Sequence, residues 1–153
     1  MFEDQTGRFQ LLSAEYSRTF DAFERAGYSL DVLSPTERVF LLVFMADSAI
    51  NSDGIYSLWF NSHGLLDTTE VVDSFRAVGA HTRAAMIDSL VQVAGHVPPE
   101  SDIEARVEQM ESLASGWPDD DDLSEQYYAS EDDMDDLLLA FLDRMKNAEQ
   151  AAT

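Results

Sequence analysis

Met134, Leu137, Leu138, Phe141, Leu142 and Met145 recur at i, i+3, i+4, i+7, i+8 and i+11, the spacing that gathers apolar side chains onto one face of an α-helix. A helix patterned this way must pack against something. At about 100° per residue, Asp132, Asp136 and Asp143 project from the opposite side, so the apolar face anchors the helix while its acids meet solvent. Leu139 lies near those acids and is expected to be exposed in a monomer.

The remaining chain also reads as helices. Phe9, Leu12, Tyr16, Phe20 and Phe23 form one apolar stripe that stops near Gly27, a residue able to supply the left-handed position of a C-cap. Ser34-Pro35-Thr36-Glu37 is a start signal, with Ser34 as cap, Pro35 already at first-turn φ and Glu37 completing a capping box. Val39 to Ala46 is apolar on every side, which predicts the buried central helix of the fold. Asn51-Ser52-Asp53-Gly54 reads as a turn, and Ile55 to Phe60 as a short aromatic helix ending before His63-Gly64. Asp67 and Glu70 form a second capping-box pattern ahead of Val71, Val72, Phe75 and Val78, closed by Gly79. Met86, Ile87, Leu90, Val91 and Ala94 mark the next helix, terminated by Gly95 and Pro98-Pro99. Ser101 and Glu104 open another, with Ile103, Val107, Met110 and Ala114 inward and Glu104, Glu108 and Glu111 as an acidic stripe outward. Residues 116–130 are expected to be an acidic loop, pinned by Trp117, Tyr127 and Tyr128, and residues 147–153 a flexible tail. No alternating strand pattern and no internal repeat is present. The expectation is an all-α, single compact domain over residues 1–153, with a buried central helix and an amphipathic C-terminal helix.

Charge narrows the function. Thirty Asp and Glu stand against nine Lys and Arg in 153 residues, a formal net charge of −21. Residues 1–99 carry 13 acids and 6 bases, whereas residues 100–153 carry 17 acids and 3 bases. Between Asp119 and Asp136 there are ten acids and no base. Direct binding to nucleic acid or anionic lipid is not expected, because those ligands require clustered Lys and Arg; a basic partner is the natural complement. Crowded like charges oppose the compact state, so so dense a cluster calls for a reason. The absence of cysteine excludes disulfides, thiol catalysis and Cys-ligated metal sites. The N-terminal residues Met1-Phe2-Glu3-Asp4 lack a signal-peptide pattern, and no apolar run approaches the roughly 20 residues that span a bilayer. A cytoplasmic protein is expected.

Residues that could carry chemistry are few. His63, His81 and His96 lack metal-ligand spacing. Asp120, Asp122, Ser124, Gln126, Tyr128 and Glu131 fall on the ligand positions of a calcium loop, but the sharply turning glycine that loop requires is replaced by Glu125. There is no Gly-rich phosphate loop and no nucleophile elbow. The Tyr56, Trp59, Phe60 cluster has two readings, the lining of a ligand pocket or, as a stripe at helical spacing more often is, part of the core. No enzyme, no cofactor and no metal site is expected.

One segment carries a resemblance. Ala49 to Gly64, with Asn51, Gly54, the pair Trp59-Phe60 and then Asn61 and Gly64, resembles the signature of a bacterial domain family whose best-known member is a DNA-mimic protein. The likeness continues through Ser74-Phe75-Arg76-Ala77-Val78-Gly79-Ala80. It resumes where Tyr127-Tyr128 leads into Asp135-Asp136-Leu137-Leu138, covering about residues 36–146. The resemblance implies an all-helical domain, dimeric in form, whose acidic surface imitates DNA phosphates and occupies a DNA-binding protein such as a transcription regulator.

The charge pattern is compatible with that reading. Duplex DNA presents one charge per ~1.7 Å of axis, and carboxylates at helical i, i+4 spacing, roughly 5–6 Å apart, are the nearest approach a helical surface makes to it. The expected partner-binding face comprises Glu104, Glu108, Glu111, Asp119, Asp120, Asp121, Asp122, Glu125, Asp132, Asp133, Asp136 and Asp143. Two other readings use the same acids: an immunity protein against a basic nuclease toxin, and a salt-adapted housekeeping domain with no mimicry. A homodimer is expected from Leu139 and the aromatic segment.

Overall fold

A computed structural model describes residues 2–55, 58, 67–94, 104–105, 108 and 120–151. Its helices are α1 (Phe2–Arg25), α2 (Pro35–Asp53), α3 (Thr68–Ala77), α4 (His81–Ala94), α5 (Asp120–Tyr128) and α6 (Met134–Ala151), with a 3-10 turn at Leu30–Val32. The fold is all-α, as the periodicities predict. The aromatic segment at Tyr56, Trp59 and Phe60, together with His63, His96 and Trp117, lies outside the described residues, as do the inward positions Ile103, Val107, Met110 and Ala114.

Local chemistry sets where the helices begin and end. Ser34 Oγ accepts the Glu37 amide at 3.2 Å, and the Glu37 carboxylate accepts the Ser34 amide at 3.0 Å, so the capping box is complete. At Asp67 only half of the expected box forms. Asp67 accepts the Glu70 amide at 3.1 Å, but the Glu70 carboxylate turns away to bind the Arg38 guanidinium of α2. A charged fork on a neighbouring helix outcompetes a local amide. α1 closes by a Schellman arrangement at Gly27, φ +71°, in which Tyr28 N–H bonds Phe23 O at 2.9 Å and Gly27 N–H bonds Glu24 O at 3.0 Å. α2 runs through the expected turn: Asn51 to Asp53 remain helical, and Gly54, at φ +89°, ends the helix.

Helix α2 is central. It packs against α1, α3, α5 and α6, and Phe40, Leu41, Leu42, Val43, Ala46 and Ile50 are buried along it. The same core takes in Val71, Val72 and Phe75 of α3, Ile87, Leu90 and Val91 of α4, which packs on α3, and Met134, Leu138, Phe141 and Leu142 of α6. Burial of each large side chain of that kind contributes about 1.5–3 kcal/mol. No helix among the described residues is long and apolar enough to cross a membrane.

Four expectations are corrected. Residues 120–128 form helix α5 within the segment read as an acidic loop; acids in a first turn face the positive end of the helix dipole and stabilise the helix. The expected tail is helical as far as Ala151. Leu139 is partly buried and packs on the core, so it supplies no exposed apolar seam. Phe9, read as part of the inward stripe of α1, is 61% exposed, whereas Leu12, one turn further on, is buried.

Candidate functional site

The acidic C-terminal segment is fastened to the body by a buried polar network. Tyr127 of α5 is fully buried, and its hydroxyl donates to Asp47 Oδ1 of α2 at 2.5 Å. Arg83 of α4, only 8% exposed, donates to the same oxygen at 2.8 Å and to Ser130 Oγ at 2.8 Å. Its guanidinium lies over the Tyr127 ring, 4.4 Å from the centroid, a cation–π contact inside a desolvated site. Burial, reinforced by the Asp47 carboxylate, pushes the Tyr127 phenol far up, so it remains a donor throughout the physiological range. Two further bonds complete the attachment. Tyr128 OH donates to Ile50 O at 2.7 Å, and Ile55 N–H donates to Ser124 Oγ at 3.1 Å.

The acids singled out from the sequence divide by what they do. Glu104 and Glu108 are exposed at helical positions, and Asp122 and Glu125 are exposed on α5. Asp120 and Asp121 lie in the first turn of α5, their side chains outside the described set; Glu111 and Asp119 are outside it altogether. Asp132 is half-buried and accepts the Arg83 amide at 2.9 Å, satisfying a free N–H in the first turn of α4. Asp133 is exposed and caps α6 by accepting the Asp136 amide at 3.2 Å. Asp136 is ion-paired with Arg8 of α1. Asp143 is exposed on α6. The Asp132, Asp136, Asp143 stripe is therefore not a uniform solvent face: two of its members hold other helices.

Sequence reasoning missed Asp47, Arg83 and Asp135. A lone acid inside an otherwise apolar central helix was the available signal for Asp47, since a buried carboxylate needs a partner. Asp135 sits at the start of α6, exposed but partly desolvated by its neighbours; that desolvation first and then the Asp133 carboxylate, with Asp47 and Asp136 acting the same way, push its carboxyl up against the pull of Arg8.

The ion pairs show where charge is compensated. Among the described residues, arginines pair with Glu15, Asp21, Asp31, Glu37, Asp47, Glu70, Asp73 and Asp88 in the N-terminal part of the chain, and with Asp136 beyond residue 100. Glu125, Glu131, Asp133, Asp135 and Asp143 are all exposed in the C-terminal part. The negative field is concentrated on the segment that the buried network holds in place.

These features define a small all-helical acidic domain, partly neutralised by ion pairs on its N-terminal side and anionic along its last two helices. The chain matches the DMP19-like protein family over residues 31–145 and belongs to it. This is a family of DNA-mimic proteins, consistent with the residues from Ala49 to Gly64 and around Asp135-Asp136 that suggested one. No curated protein and no solved structure gives a significant match to the chain.

Proposed function

We propose that this chain is a non-enzymatic DNA mimic, acting in the cytoplasm, that occupies the DNA-binding surface of a basic protein such as a transcription regulator. One observation carries the reading: arginines pair most of the engaged acids of the N-terminal part, while the exposed acids of α5, α6 and the segment between them stand on a rigidly anchored frame. Salt adaptation would spread acids over the whole surface, so the uneven compensation favours a directed field. Fixed carboxylates steer a cationic partner and select it by charge complementarity.

The immobilised protein should capture a basic protein from an extract of its native cells and displace duplex DNA from it, with affinity falling as salt shortens the Debye length toward about 8 Å. Replacing Glu125, Glu131 and Asp143 by Gln, Gln and Asn removes three exposed charges without touching the cap at Asp133 or the contacts of Asp132 and Asp136. That variant should lose displacement, whereas Asp21→Asn, Glu24→Gln and Asp31→Asn together should largely retain it. A parent protein unable to displace duplex from the captured partner, or equal losses in both variants, would overturn the proposal. A captured nuclease that poisons cells lacking this chain and is neutralised by it would identify the partner as a toxin and the chain as its immunity protein.

A further inference from the structure

The start of α6 holds more negative charge than the chain neutralises. Asp133, Asp135 and Asp136 crowd there, and among the described residues Arg8 is the cation that reaches them, bonding Asp136 and attracted by the other two. The fit of Arg8 is incomplete. Its Nε is buried and has no hydrogen-bond acceptor among the described residues, while its terminal nitrogen holds the carboxylate. A buried donor left unsatisfied makes the contact cheaper to lose than a bidentate arginine–carboxylate fork. Arg8 also comes from outside the family-matched residues 31–145, on the N-terminal part of α1 that carries the exposed Phe9 and Leu11. The acid it holds belongs to the matched region, so the counter-charge comes from outside the segment that carries the family match.

We propose that Arg8 is an internal competitor for Asp136: a guanidinium of the chain itself occupies a carboxylate that a basic partner's arginine would take, and so lowers the affinity of the acidic face. The proposal deepens the mimic reading and rests on it for the identity of the partner. The competition itself depends only on charge and geometry. A partner arginine must either displace Arg8 or approach a group already half neutralised.

The test uses the full chain and a fluorescent nona-arginine peptide as probe, with binding followed by anisotropy at about 0.1 M salt, where the Debye length is ~10 Å. Arg8→Gln should bind the peptide about two- to fivefold more tightly than the parent, the range set by the worth of a partly exposed ion pair. Arg25→Gln is the control. It makes the same change of net charge on the same helix, about 25 Å along the axis and beyond the Debye length. It should change affinity much less. In an Asp136→Asn background the gain from Arg8→Gln should vanish, and at high salt it should shrink. Circular dichroism and urea midpoints establish that each variant is folded; Arg8→Lys, which keeps the charge, should behave like the parent. The proposal is overturned if Arg8→Gln gains no more than Arg25→Gln, or if the gain survives Asp136→Asn. A gain at Arg8 in a protein that cannot displace duplex DNA from its captured partner would reject mimicry and retain the competition. Displacement without the gain would do the reverse.

Discussion

Asp47→Ala tests whether the acidic segment is held by the buried network. In the parent, Asp47 Oδ1 receives the Tyr127 hydroxyl at 2.5 Å and the Arg83 guanidinium at 2.8 Å, and the Asp47 and Arg83 side chains are 15% and 10% exposed. Removing the carboxylate strands a buried cation and a fully buried phenol together. Breaking a buried pair from one side costs about 3–5 kcal/mol, against a total stability of about 5–15 kcal/mol for a domain of ordinary size. Tyr127→Phe deletes only the hydroxyl and leaves Asp47 bound to Arg83. Its cost should sit near that of one hydrogen bond to a charged group, about 1.5–3 kcal/mol. Urea unfolding of the parent and both variants measures these differences, provided the slope is unchanged. Native-state hydrogen exchange then locates the damage, with α5 amides losing protection in Asp47→Ala before those of α3, which the network does not touch. A cost for Asp47→Ala no greater than for Asp21→Ala, a solvent-exposed pair with Arg25, would refute the argument that the network anchors the segment.

Gly79→Ala should destabilise by about 1–2 kcal/mol, because residue 79 sits at φ +92° and a Cβ there would meet Leu137 Cδ2 at 3.4 Å; a neutral urea midpoint would contradict it. Ser34→Ala should cost about 1 kcal/mol by opening the capping box of α2, and thermal unfolding indistinguishable from the parent would show the box to be dispensable. Asp135→Asn should stabilise the protein at pH 7. The folded state raises the Asp135 carboxyl above its unfolded value, so the ionised form opposes folding at neutral pH and that penalty disappears as pH falls through the raised value. The gain over the parent should therefore fade toward about pH 3.5, below the ordinary carboxylate range, and a gain independent of pH would refute the assignment.

The helical class, the central position of α2 and the packed face of α6 were legible in the chain because each rests on interactions within a few residues: caps at Ser34 and Asp67, glycines at 27 and 79, and apolar side chains repeating with the helical period. The concentration of acid after residue 100 was legible for the same reason, since it is a property of composition. What each acid does was not. Asp136 answers to Arg8, 128 residues away, and Asp132 to the amide of Arg83, 49 residues away. Residues 120–128 were read as part of an acidic loop, but the helix they form is fastened through Tyr127 to Asp47, 80 residues distant. Helical periodicity determines which side of a helix a residue occupies, whereas only the packing of one helix on another determines whether that side meets solvent, a cation or an unsatisfied amide. The sequence therefore determined the helices and the sign of the surface; the tertiary structure decided which acids hold the molecule together and which remain for a partner.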